Sequence, residues 1–287
     1  MTTNLSERAM LANISISTWA ATRTDKKISQ EVADRHAVTM KRAGHYRKHC
    51  IDIDAKTYLA VNNAGATMRD RHYWWTLPWI DKGARILPAP SFEKYSTDMR
   101  AHRGKFNAAV ADFVADYPAL KQAAMSELNG LYNQRDYPLD IGSKFGVQLS
   151  ILPLPEADDF RANLPQADVD AIRLGITADM ERAMATAMRE PYERLYEHVN
   201  RMVDRLKDPK GIFRDTLVTG LADLCTVLPA LNITNDRTLG ALCKKAESLV
   251  VGLDAQTLRE QPKVRKDAAK KAAEIQAMMA GLMGDKS

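Results

Sequence analysis

The chain has 287 residues, 45% hydrophobic and 27% charged, enough apolar side chain for a core in one large or two modest domains and too much for global disorder. Its formal charge of +5 is unevenly placed, since residues 23–105 hold 17 Lys+Arg against 9 Asp+Glu and residues 106–287 hold 23 against 26. No run approaches the roughly 18–20 apolar residues of a membrane helix, and residues 1–10 lack the basic-then-apolar order of a secretory signal, so a chain without membrane contact, acting in the cytoplasm, is expected. Cys50, Cys225 and Cys243, odd in number and far apart, fit reduced thiols in that compartment, with Cys225 and Cys243 on apolar helix faces.

Between Asn13 and Thr22, Ile14 and Ile16 alternate with serines, the two-residue period of a half-buried strand. Ser29 is placed to cap a short helix reaching about Met40. Residues 41–49 (KRAGHYRKH) read as two or three helical turns dense in cations, and a further helix spans about Ala55–Arg71. The run 73–80 (YWWTLPWI) breaks that helix, and Asp81-Lys-Gly83 with Pro88-Ala-Pro90 marks an irregular connection.

Beyond Ser91 the pattern is long and regular. Phe106, Val110, Phe113, Val114 and Tyr117 recur at helical spacing, Pro118 is expected to kink or interrupt the helix, and the stripe resumes at Leu120, Ala124, Leu128, Leu131 and Tyr132. Phe145, Val147, Leu149 and Ile151 form one face of a second strand, 145–152, expected to pair with the first. From about Asp168, Ile172, Ile176, Met180, Met184 and Met188 climb in steps of four. Tyr192, Leu195, Val199, Met202 and Leu206 then alternate steps of three and four, a seam for helix packing. Three shorter helices follow, with apolar faces at Leu217–Leu228, Leu239–Leu249 and Ala268–Met279; Met278, Met279 and Met283 read as a packed cap or an exposed end.

The expected fold is therefore mainly α: a long antiparallel helical hairpin with a small two-stranded β element and a C-terminal helical bundle. Three parts are expected, a basic, aromatic-rich region 1–105, the hairpin 106–207 with its inserted strand 145–152, and a helical region 208–287.

Chemistry-bearing motifs are sparse. Neither phosphate-cradling glycine pattern is present, nor a hydrolase nucleophile elbow. His45 and His49 would share a helical face beside Cys50, but the first histidine lacks a following glutamate and cations flank both, so no metal and no cofactor is expected. The carboxylate pairs Asp52/Asp54 and Asp158/Asp159 carry no cue to a special environment. One constellation suggests a ligand: Arg42, His45, Tyr46, Arg47, Lys48, Arg69, Arg71, Trp74 and Trp75 put cations and rings together within 41–85. Lys and Arg neutralise phosphates and exposed rings stack on unpaired bases; the same rings equally suit a core anchor at the helix break.

Residues 76–88 (TLPWIDKGARILP), followed by Phe92 and Tyr95, resemble the signature of an uncharacterised tailed-phage protein family, as do residues 14–20 (ISISTWA) with Asp25-Lys-Lys27. The likeness is clearest over residues 13–160. It implies a phage protein with long helices acting in the bacterial host cytoplasm, some members being encoded near MoxR-type AAA+ ATPases and von Willebrand A domain proteins, which are thereby candidate partners. It supplies no catalytic residues. The expectation is a non-enzymatic interaction or assembly protein that presents long helices to itself, as a homo-oligomer, or to a protein partner. The alternative is nucleic-acid binding through 41–85.

Overall fold

A computed structural model describes residues 5–80, 83–159, 162, 164–208 and 211–284. Asp81 and Lys82 of the expected irregular connection, Pro209 and Lys210 beyond the second long helix, and the side chains of Asp159 and Met283 lie outside the described residues. The fold is mainly α. Its helices are α1 (Lys26–Arg35), α2 (Met40–Ala43), α3 (Lys56–Trp75), α4 (Phe92–Leu128), α5 (Gln166–Lys207), α6 (Thr216–Leu231), α7 (Arg237–Val250), α8 (Ala255–Glu260) and α9 (Pro262–Gly284). Its strands are β1 (Ala9–Ser17), β2 (Thr22–Thr24), β3 (Arg47–His49), β4 (Leu77–Pro78), β5 (Ala84–Pro88) and β6 (Gly146–Pro153).

Two compact units form, each from separated stretches of chain: Met1–Asn13, Tyr73–Tyr95 and Ser150–Ser287 in the first, Ile14–His72 and Ser96–Leu149 in the second. This division differs from the three consecutive parts expected. The two long helices fall mostly in different units, and within its own unit α5 is packed by α9 and α6.

In the second unit, α3 and α4 bury an aromatic core. Phe106, Phe113, Tyr117 and Ala124 recur on one face of α4 and are buried with Trp19, Tyr58 and Val61. The Phe113 ring lies 6.4 Å from Trp19, 5.8 Å from Tyr58 and 5.4 Å from Phe145, tilted or edge-on as ring quadrupoles prefer. Pro118 does not interrupt α4, which runs from Phe92 to Leu128. Buried Phe113 and Tyr117 before it and Ala124 after it pin both sides to the same core, offsetting the lost backbone bond.

The first unit holds β4, β5 and residues 9–13 of β1, in a sheet of order β4-β5-β1-β6, together with a helical bundle. β1 pairs antiparallel with β5 in the register Ala9↔Pro88 to Asn13↔Ala84, and β5 pairs with β4 at Leu77↔Ile86. The β1–β6 neighbourhood expected from alternation is present, but as one side of a larger sheet. β5 (ARILP) escaped notice because its run is short, apolar and closed by proline rather than alternating. Leu77, Ile86, Ala9 and Leu11 of the sheet pack with Ala187 of α5 and Val227 and Leu231 of α6. Further along, Leu195, Val199, Met202 and Leu206 of α5 join Leu221, Leu224 and Leu228 of α6, Leu239, Leu242 and Ala246 of α7, and Ala272, Ile275 and Met279 of α9 in one core. Each helix contributes one apolar stripe, the pattern of a packed bundle. Asp236 caps α7, accepting from the backbone N–H of Thr238 and Leu239.

Candidate functional site

The basic front segment does not form the helical face expected of it. α2 ends at Ala43, and residues 47–49 form β3, paired with β2 in the register Thr22↔His49, Arg23↔Lys48 and Thr24↔Arg47. Alternation along a strand therefore separates Lys48 from Arg47 and His49. His45 lies off both elements, so His45 and His49 share no helical face. Lys48 points inward with its side chain 5% exposed, its ammonium 2.9 Å from Asp136 and 3.7 Å from Asp25, and it also donates to the Leu131 carbonyl. A buried cation needs such partners, and Lys48 is an internal brace rather than a phosphate contact. Burial by itself would lower its pKa, but Asp136 and Asp25 outweigh that and hold it above the ordinary lysine value. Asp25, not Ser29, caps α1, accepting from Lys27 and Ile28 N–H. Ser29 is buried, donates to the Asp25 carbonyl and accepts from Tyr46 N–H. Asp52 accepts from Asp54 N–H at 2.9 Å, the geometry of a turn.

The remaining candidates divide. Arg71 is half-buried and paired with Asp98 at 2.7 Å. Trp74 and Trp75 are half-buried and belong to the first unit, where Trp74 packs against both apolar clusters and Trp75 against the one beneath the sheet. The anchor role suggested for these rings is the one their packing supports. Arg42, His45, Tyr46, Arg47 and Arg69 are exposed, with Arg47 donating to the Thr22 hydroxyl at 2.9 Å.

Helix α5 presents a sharper contrast within one element. Over its carboxyl half, Leu195, Val199, Met202, Val203 and Leu206 are all buried. Over its amino half the sequence is apolar on two sides. Val169 is buried, Ile172, Ile176 and Met180 are half-buried, and on the other side Ala167, Ala171, Leu174 and Ala178 are exposed, Leu174 by 72%. Those four are spaced by four, three and four residues, the heptad spacing of a helix–helix seam. A helix apolar on more than one side is ordinarily enclosed by neighbours. This seam was legible in the sequence but overlooked, because three of its members are alanine and contribute little to a hydrophobic count.

At the far end of α5 the structure builds a pocket of about 460 Å³, lined by His198, Arg201 and Arg205 of the helix and by residues 212–214 with Thr216 and Leu217 at the entry to α6. The three α5 residues lie at i, i+3 and i+7 and so share a face. Two further arginines fix the wall behind. Arg265, 8% exposed, donates to the carbonyls of Arg205 at 2.9 Å, Leu206 at 3.4 Å and Gly211 at 3.1 Å, and also to that of Asp208. It thereby satisfies and charge-balances the carboxyl end of α5. Gly211 is required there, since a Cβ would stand 2.9 Å from the Arg205 carbonyl oxygen and 3.1 Å from that of Asp208. Arg259 donates to the Phe213 carbonyl at 2.8 Å and pairs with Asp215 at 2.7 Å, and both guanidinium carbons sit 5.2 Å from the Phe213 ring centre. His198 is oriented by its Nδ1, 3.0 Å from the Arg194 carbonyl oxygen, and burial lowers its pKa, favouring the neutral ring.

No protein-family model, no curated protein and no solved structure matches the chain.

Proposed function

We propose that the chain is a non-enzymatic interaction protein that pairs the amino half of α5 with a helix of a second copy or of a protein partner. The observation that carries this is the exposed seam of Ala167, Ala171, Leu174 and Ala178 on a helix whose other side is already partly covered. Alanine at such positions allows close helix approach, and a single leucine adds the apolar area that drives it. On the resemblance to the tailed-phage family, this activity is proposed to take place in the cytoplasm of an infected bacterium, with an AAA+ ATPase among the candidate partners. Size-exclusion chromatography with light scattering tests the proposal. The molar mass should exceed the 32.0 kDa of one chain, or a specific protein should co-elute, and Leu174→Glu should abolish either association. A wild-type monomer that captures nothing contradicts it.

A second reading rests on the exposed Arg42, His45, Tyr46 and Arg47, a cationic surface with one ring. A gel shift with single- and double-stranded DNA across salt tests it: binding should weaken steeply with salt and with Arg42→Glu plus Arg47→Glu. Binding indifferent to both rules it out.

A further inference from the structure

We propose that the pocket at the carboxyl end of α5 binds a small phosphate-bearing molecule with an apolar or aromatic body. Its wall supplies three guanidiniums, those of Arg201, Arg205 and Arg214, and no carboxylate. Arg201 has one loose carboxylate partner, Glu197 at 3.7 Å, whose side chain is 70% exposed, and its Nε donates to the Glu197 carbonyl at 3.3 Å. Among the described residues, the guanidiniums of Arg205 and Arg214 have no carboxylate within ion-pair distance, and Asp215, next to Arg214, is engaged by Arg259.

Like charges converging on one concavity repel, and such an arrangement is relieved by an anion. Guanidinium matches phosphate oxygens with paired N–H donors, which makes arginine the usual residue for that group. The amino end of α6 opens on the same pocket and carries no side-chain cap, adding the positive end of a helix dipole. The remaining lining is His198 and Thr216 with the apolar Ile212, Phe213 and Leu217. Ile212 is 88% exposed, an unfavourable position for a β-branched hydrocarbon in water, and Phe213 and Leu217 lie with it. Cations on one wall and hydrocarbon on the other suit a ligand with a charged end and a flat or greasy body. The volume falls within the roughly 300–1,000 Å³ of small-molecule sites. The pocket is preorganised, because Arg265 and Arg259 hold the backbone carbonyls of Arg205, Asp208, Gly211 and Phe213 from behind without using the three lining guanidiniums. Preorganisation lowers the ordering cost of binding.

Isothermal titration calorimetry on the full chain, without magnesium, tests this with three probes: ATP, inorganic pyrophosphate and adenosine. ATP and pyrophosphate should bind, and adenosine should bind at least tenfold more weakly, because phosphate is the recognised group. Replacing both arginines (Arg205→Ala with Arg214→Ala) should weaken ATP about tenfold or more, as expected when charge-assisted contacts are removed. Both side chains are exposed, so the fold should be retained, and circular dichroism checks this. Arg189→Ala, an exposed arginine on the same helix away from the pocket, should leave ATP affinity unchanged. The proposal is overturned if ATP shows no binding at millimolar concentration, if adenosine binds as well as ATP, if the double variant keeps wild-type affinity, or if Arg189→Ala weakens binding as much as the double variant does. A single-stranded oligonucleotide that binds through Arg205 and Arg214 more tightly than ATP also overturns the small-molecule assignment.

Discussion

The carboxyl-terminal bundle and the basic front segment were both conspicuous as sequence, and the structure treats them oppositely. In the bundle, residues recurring every third or fourth position are buried together, from Leu195 and Val199 to Ile275 and Met279. In the front segment, neighbours with the same charge meet different fates: Lys48 is locked between two carboxylates while Arg47 beside it is exposed. Apolar burial is set by periodicity, because any hydrocarbon neighbour will do. A charge is placed by a specific partner, and the partners of Lys48 come from elsewhere in the chain, Asp25 before it and Asp136 far beyond it.

The largest effect that sharpens this contrast is expected in the bundle. Leu195→Ala removes a fully buried side chain and should cost about 2–5 kcal/mol, seen as a lower urea midpoint. A cost below about 0.5 kcal/mol would mean that the bundle core is not where α5 is anchored. Asp136→Asn should come next, at about 1.5–3 kcal/mol, because it weakens a charge-assisted contact to a buried ammonium. Arg42→Ala and Arg47→Ala, on the exposed side of the same segment, should each stay within about 0.5 kcal/mol. Equal effects at Asp136 and Arg47 would erase the distinction.

The brace around Lys48 also has a pH signature. Lys48 is held above its ordinary 10.5, so its contribution is complete below that value and is lost as pH rises through the raised one. The Asp25 carboxyl is held below 3.8 by the N–H groups of Ile28 and Lys27 and by Lys48, so its contribution is present above that value and lost as pH falls through the depressed one. The urea midpoint should thus show no pH dependence from this cluster between about pH 5 and 9, where both contributions are complete, and should fall on either side. A midpoint that drops steadily across neutrality in wild type but not in Asp136→Asn would contradict this. The smallest effect is chemical. Burial pushes the Cys225 thiol up to about 12 and Cys243 up to about 11, and it raises Cys50 as well. Iodoacetamide at neutral pH should therefore modify the native chain slowly at all three and the urea-unfolded chain rapidly. Prompt labelling of Cys225 or Cys243 in the native state would show that the bundle opens.

How much of this was legible follows the same physical division. Five of the helices, α4 to α7 and α9, were readable from their stripes, as was β6, whose apolar residues alternate. β2 and β3 were not, because Thr-Arg-Thr and Arg-Lys-His carry no hydrophobic period and exist through pairing with each other. The cap of α1 was misplaced by four residues, since Asp25 and Ser29 are both good capping types and only the fold decides which one receives the N–H groups. The expected nucleic-acid constellation drew on residues that the structure distributes over two units. The arginine pocket was invisible beforehand because Arg214, outside α5, joins His198, Arg201 and Arg205 only in the folded chain. The covering of α5 was half legible: its stripe was clear, but a stripe says which face is buried and not which element covers it.

The amino half of α5 is the centre of the account, and molar mass by light scattering tests it most directly, comparing wild type with Leu174→Glu under conditions where both retain their helical circular dichroism. The expected result is association of the wild type, with itself above 32.0 kDa or with a captured protein, and a solitary chain for the variant. Association that Leu174→Glu leaves intact, or a wild type that stays solitary in the presence of host and phage proteins, would contradict it.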